Sequence, residues 1–453
     1  MQLSTALRSR VIRIMASERL LNLGRAKARL QRVLAKQAPR VHYFHQVSDP
    51  YSHLAVQKLA EFATKCQIPV EPHLVSAPLP EYQGDAARFV DWALRDATSI
   101  ATGFGVQLGS GAALRAPTVD RVAHIENKLA AVLAEDNTSA TLEKFSDQAI
   151  ALGHALWSDA QRDSVTPSND ATSGSTLSQS ASQALANGDK LRKQLGHYQG
   201  AMFYFDGEWY WGLDRLHLLE ARLKDEGYMP AESTPTCPVP PDADFATAAP
   251  DCSSVTLEYF PSLRSPYTAI GHPRVLRIIE HTGVTVRLRP VLPMLMRGVP
   301  APREKQRWII SDAAREARFY DVPFGKFVDP FGDPVKRAFA LFPAAARLGK
   351  GMEFTTAYLA AAWALGIDIS AESGLASVAD NAGLNLNTLK TEAQNDDWEA
   401  LLTDNVNSML GAGLWGVPSF RVTGGEGPRC ANAFACWGQD RLWRVTEEII
   451  ARA

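Results

Sequence analysis

One interval recurs through this chain. Tyr43-Phe44 precedes the turn Asp49-Pro50-Tyr51-Ser52, and Tyr259-Phe260 precedes Ser265-Pro266-Tyr267-Thr268; Tyr259 lies 216 residues after Tyr43 (259 − 43). Val75 and Val291, Asp96 and Asp312, and Arg121 and Arg337 keep the same 216-residue interval, as do "GAMFY" at Gly200–Tyr204 and "GVPSF" at Gly416–Phe420. "WGLDRL" and "WGQDRL" close the series at Trp211 and Trp437, 226 residues apart (437 − 211), so the second closing hairpin is ten residues longer. Its extra length reads "GGEGPRCANA", a surface loop by composition. A single matched dipeptide carries no weight. An ordered series at one spacing implies a tandem duplication, and a chain of 453 residues has room for it.

The expected organisation is a basic N-terminal segment over 1–40, a first domain over 41–230, a linker over 231–253 and a second domain over 254–453. "PAESTPTCPVPPDADFATAAP" has the Pro-rich, acidic composition of a linker, and "SVTPSNDATSGSTLSQSASQALANG" (Ser164–Gly188) reads as a loop or frayed helix within the first domain. Each copy runs strand, helix, strand, long helical block, strand, strand, helix. The first strand-helix-strand unit predicts parallel pairing with a right-handed crossover, and the closing pair predicts an antiparallel hairpin. The fold class is α/β, a small mixed sheet with a helical insertion, made twice.

A formal net charge of −2 excludes the whole molecule as an electrostatic binder of nucleic acid. Five scattered cysteines (Cys66, Cys237, Cys252, Cys430, Cys436) form no Cys-x-x-Cys pair; they imply a reducing, cytoplasmic setting and no metal site. The first forty residues carry ten Lys and Arg against Glu18 alone, with apolar residues at helical spacing. That basic amphipathic helix, or pair of helices, could meet anionic lipid; the preferred reading is a solvated helix packed on the domain that follows.

The second copy resembles the DsbA-like group of thioredoxin folds that contains kappa-class glutathione transferases and 2-hydroxychromene-2-carboxylate isomerases. The resemblance rests on "SPYT" after the first strand, "RPVLP" at the second, "DAAREARFYDVPFG" in the insertion, "GLWGVPSF", and "WGQDRLWRVTEEI" at the end. It implies two tandem thioredoxin-like domains, each with a helical insertion, and glutathione as cofactor. Ser265 stands where disulfide oxidoreductases of this fold carry the first cysteine, which excludes dithiol chemistry there. By resemblance its hydroxyl donates to the glutathione sulfur; as sequence alone it is also an ordinary N-cap before a proline. The resemblance further implies a cis Pro418, a Val417 backbone that pairs with glutathione, Asp440 on the γ-glutamyl ammonium and Gln439 beside its carboxylate. Asp440 reads equally as a helix cap.

Arg264, just before the serine, could steer a substrate carboxylate or stabilise a thiolate. No asparagine follows "RPVLP", where the family often has one near glutathione. Trp308, Tyr320 and Trp415 could line a pocket for a flat aromatic substrate or belong to the core. In the first copy Asp49 stands in place of Ser265 and Met202 in place of Pro418, so that thiol site reads as decayed. The expected function is a glutathione-dependent isomerase acting on an unsaturated aromatic acid, in a monomeric pseudo-dimer or a homodimer. The alternatives are a kappa-like glutathione transferase and a non-catalytic thioredoxin-fold binding protein.

Overall fold

The computed structural model describes residues 3–109, 115–135, 139–158 and 176–453. The chain forms two compact units, Asn22–Pro240 (the N-terminal unit) and Met1–Leu21 together with Pro241–Ala453 (the C-terminal unit). The change of unit at Pro240 falls inside the segment expected to be a linker, which has no helix or strand.

In the N-terminal unit, β1 (Val41–His45), β2 (Val70–Leu74), β3 (Met202–Phe205) and β4 (Glu208–Trp211) form a sheet of order β2-β1-β3-β4. β1 and β2 are parallel and the remaining pairs antiparallel. Between β2 and β3 lie the helices Ala86–Ala101, Val119–Leu133, Ser139–Trp157 and Gln179–Gln194. The low-complexity stretch divides accordingly. Its residues 164–175 lie outside the described residues, and Ser178 caps the last of these helices by accepting from the Ala181 N–H.

In the C-terminal unit, β5 (Val255–Phe260), β6 (Thr285–Leu288), β7 (Ser419–Gly424) and β8 (Phe434–Trp437) take the corresponding order β6-β5-β7-β8 with the same parallel and antiparallel pairings. β5 leads into the helix Pro266–Thr282, which Gly283 ends in the left-handed conformation (φ 64°) that favours glycine. The helical insertion has its own core, built around Phe339, Phe342, Phe354, Tyr358 and Trp363. One face of the sheet has a second core, in which Tyr259 stacks on Phe420 at 5.4 Å. A shared hydrogen bond marks the correspondence of the two units. Tyr51 donates to Asp96 Oδ2 at 2.7 Å, and Tyr267 donates to Asp312 Oδ2 at 2.8 Å.

The basic start of the chain forms two helices, α1 (Leu3–Ala16) and α2 (Glu18–Leu34). α1 belongs to the C-terminal unit. There it lies against the helix Arg303–Phe319, with Ile12, Met15 and Ala16 on the insertion core. In the N-terminal unit, Arg25 and Arg32 of α2 pair with Glu208 at 2.6 Å and Asp206 at 2.9 Å. All five cysteines are free thiols, and no described helix is long and apolar enough to cross a membrane.

Candidate functional site

The site is built where β5 breaks. Ser265 adopts an extended conformation and caps the helix Pro266–Thr282, accepting from the Thr268 N–H at 3.1 Å. Pro266 at the first helical position supplies the right φ and needs no amide partner. Thr268 is fully buried and its Oγ1 accepts from the Ser262 N–H at 3.3 Å, which fixes the turn from the other side. Trp363 donates to the Leu263 carbonyl at 3.2 Å. Ser265 is only 7% exposed, and its hydroxyl donates to the Val417 carbonyl at 3.3 Å. A hydroxyl thus sits at the positive end of a 17-residue helix, against the backbone of the loop before β7.

That loop contains a cis Val417–Pro418 peptide bond. Its position depends on close packing: a Cβ on Gly416 would lie 1.9 Å from the Trp437 ring, so the indole covers a bare backbone. Arg297 ties the loop down, donating to the carbonyls of Trp415 at 2.8 Å and Leu292 at 2.9 Å. Burial pushes the Arg297 guanidinium down to about 10. This segment has no asparagine, and Arg297 takes the anchoring role. Its one signal in the sequence was an arginine among apolar residues in "MLMRGVP".

Two candidate residues are engaged elsewhere. Gln439 is 1% exposed; its carbonyl accepts from Arg274 and its amide donates to Glu316 Oε2 at 3.0 Å. Arg274 also holds Asp242 at 2.5 Å and lies 3.5 Å above the Tyr320 ring. Gln439 therefore ties the turn before the last helix to Arg274 of Pro266–Thr282 and Glu316 of Arg303–Phe319, with both ends of its amide engaged there. Arg264 is anchored through its Nε. Its guanidinium pairs at 2.8 Å with the fully buried Asp329 and lies 4.7 Å above Phe331. Arg8 of α1 pairs with the second oxygen of the same aspartate at 2.9 Å, and Ser9 Oγ accepts from the Asp329 N–H.

Asp440 follows Gln439 in the turn before the last helix, with a side chain 17% exposed. The three aromatic candidates have separate surroundings. Tyr320 lies under Arg274, Trp415 is buried 5.1 Å from Trp437, and Trp308 lies 5.7 Å from the Arg315 guanidinium.

The N-terminal unit closes the corresponding place on itself. Asp49 caps its helix α3 (Pro50–Val56) by accepting from the Tyr51 and Ser52 N–H groups, and Ser52 Oγ donates to Asp49 Oδ2 at 2.8 Å. Ser52 Oγ in turn accepts from the Ala201 N–H at 2.9 Å. Burial raises the Asp49 carboxyl to about 6, against these hydrogen bonds. The counterpart of Pro418 is Ala201, and not Met202 as the matched glycines suggested. Phe44 pairs with Met202 where Phe260 pairs with Ser419, and the Ala201 carbonyl accepts from the Gly212 N–H as the Pro418 carbonyl accepts from the Gly438 N–H.

Residues 256–449 match the family model of the DSBA-like thioredoxin domain, so the mixed α/β C-terminal part has a DsbA-like thioredoxin fold. No curated protein matches the chain in sequence. Among solved structures, a 2-hydroxychromene-2-carboxylate isomerase shares 18% identity at a TM-score of 0.35, over 42% of this chain and 93% of its own. The cytosolic disulfide reductase DsbM from Pseudomonas aeruginosa shares 20% at 0.33, over 43% of this chain and 97% of its own. The oxidoreductase DsbA from Xylella fastidiosa shares 14% at 0.28, over 47% and 89%.

Proposed function

We propose that the C-terminal unit binds glutathione against Ser265 and uses its thiol as a nucleophilic cofactor. The reading rests on one observation. The Ser265 hydroxyl stands at a helix N-terminus with its proton on the Val417 carbonyl, 3.3 Å away. That carbonyl suits the cysteinyl N–H of a tripeptide laid along the loop as an added strand. A tripeptide bound so would take over the carbonyl and release the hydroxyl to the sulfur. A donor to the charged form, together with the helix dipole, lowers the thiol pKa. The turn contains no cysteine, so the thiol has to come from the ligand. Asp440 is the candidate for the γ-glutamyl ammonium, while Gln439 and Arg264 hold the turns on either side.

The reaction that fits is reversible addition to an unsaturated aromatic acid. The thiolate forms a C–S bond to the carbon β to the carbonyl, and the electron pair of the double bond moves into an enolate. The former double bond rotates as a single bond, and collapse of the enolate expels the thiolate. Conjugation of glutathione to an electrophile, the kappa-like alternative, would start from the same thiolate.

We further propose that the N-terminal unit is a duplicated module without a thiol site. The shared strand order and the two Tyr–Asp bonds support the duplication, and the closed Asp49–Ser52–Ala201 chain supports the missing site. The test is glutathione titration by calorimetry, with thiolate absorbance followed against pH in the complex. The wild-type chain should bind saturably. Ser265→Ala should raise the bound thiol's pKa by about one unit, the worth of one charge-assisted hydrogen bond. A wild-type chain that takes up no glutathione, or a thiol that titrates alike in both proteins, would overturn the proposal.

A further inference from the structure

The first sheet carries a group of side chains that the thiol chemistry does not use. In the parallel pair β1–β2, His42 is opposite Glu71 and Phe44 opposite His73. Alternate residues of a strand share a face, so His42, Glu71 and His73 project together. His42 Nδ1 lies 2.9 Å from His73 Nε2 and 3.7 Å from Glu71 Oε2, and one ligand atom from each residue falls within 4.8 Å of the other two. Arg40 holds the other oxygen, Oε1, of Glu71 and leaves Oε2 turned toward the imidazoles. The ring of Phe44 stacks on His73 at 5.1 Å, and Tyr204 lies 6.2 Å from His42. The group is half-buried, with side-chain exposures of 18% for His42 and 13% for Glu71.

The corresponding positions of the second sheet are filled differently. Glu258, 216 residues after His42, sits between Arg289 at 2.7 Å and Arg421 at 2.8 Å, a carboxylate with a guanidinium on each of its oxygens. Two imidazoles have no such closure. They can share one N–H, and the carboxylate oxygen beside them brings only lone pairs. A cation among the three atoms would take a lone pair from each.

We propose that His42, Glu71 and His73 form a binding site for a divalent first-row transition metal, of which Zn2+ is the type. The dimensions suit it. Zn–N bonds of about 2.0–2.1 Å at tetrahedral angles set the two nitrogens roughly 3.3 Å apart, so His42 and His73 need to part by only about half an ångström. Imidazole and carboxylate donors favour zinc and its neighbours over Mg2+ or Ca2+. Three protein ligands leave a position for water, and the half-exposed face admits it. The metal would also pin β2, the edge strand, to β1.

The test uses the full-length chain after treatment with a chelator. Calorimetry with Zn2+ should give one site per chain, Co2+ should give the visible ligand-field bands of a low-coordinate site, and Mg2+ should give neither. His42→Gln and His73→Gln keep a hydrogen-bonding side chain at half-buried positions, and each should weaken zinc by about 100-fold or more, beyond the usual loss for an outer partner. Glu71→Gln is a third variant of nearly unchanged shape, and far-UV dichroism checks the fold of all three. No zinc uptake by the wild type at millimolar metal, or equal uptake by properly folded His42→Gln and His73→Gln proteins, would overturn the proposal.

Discussion

At the residue scale, the two Pro-Tyr turns do opposite things with one position. Ser265 keeps a hydroxyl that can change partner, whereas Asp49 is a buried carboxylate whose bonds all stay inside its own turn. The cost of that burial should be visible in pH dependence. Burial raises Asp49 from an ordinary 3.8 to about 6, so the folded chain holds this proton more tightly than the unfolded chain. Stability from this group is therefore greatest at low pH and falls as pH climbs through that window, by on the order of 3 kcal/mol in all. Asp49→Asn keeps a capping oxygen and removes the charge. Thermal melts from pH 4 to 7 should show the variant gaining on the wild type as pH rises, and parallel curves would rule this account out. The sequence disclosed both turns because helix caps are local. It did not disclose the pairing of Arg264 with Asp329, since those residues are 65 positions apart and nothing in either neighbourhood points to the other.

At the element scale, strand order and pairing direction were legible because each half of the chain alternates strand and helix in a pattern that few topologies satisfy. The register of β3 was not. Matching Gly200 to Gly416 puts Met202 on Pro418, but strand pairing places Ala201 there, one residue away. A slip of one residue reverses which face every side chain occupies, and a glycine match cannot see faces. The same limit applies to Gln439, which resemblance assigned to a ligand and packing gives to Arg274 and Glu316. Its turn lies close against the helix Pro266–Thr282; a Cβ on Gly271 would come 2.8 Å from Gln439 Cβ. Gln439→Ala would leave two buried charged groups short of a partner, at a cost of about 3 kcal/mol. Denaturant midpoints should fall accordingly while glutathione affinity stays within a few-fold. A large loss of affinity at unchanged stability would return Gln439 to the ligand.

At the scale of the whole molecule, the matching strand order of the two units was legible in sequence because one interval is preserved across many separate positions. The partner of the N-terminal helix was not visible, because neighbours in sequence need not be neighbours in space. Ten basic residues in forty also read as a solvated surface. α1 belongs to the C-terminal unit, where Arg8 and Ser9 bond Asp329 and the Ile12–Met15 face lies on the insertion core. Beside and beyond that face the helix is exposed, with Val11 46% and Ile14 48% exposed. Two substitutions of equal polarity should therefore differ. Ile12→Ser removes a side chain packed on the core and should cost about 1–2 kcal/mol in the melting of the C-terminal unit. Val11→Ser changes an exposed residue and should stay within about 0.5 kcal/mol. If both are silent, α1 does not pack on the unit as described. If Val11→Ser instead weakens partition onto anionic vesicles, the open face is a lipid contact and the packed face its anchor to the fold.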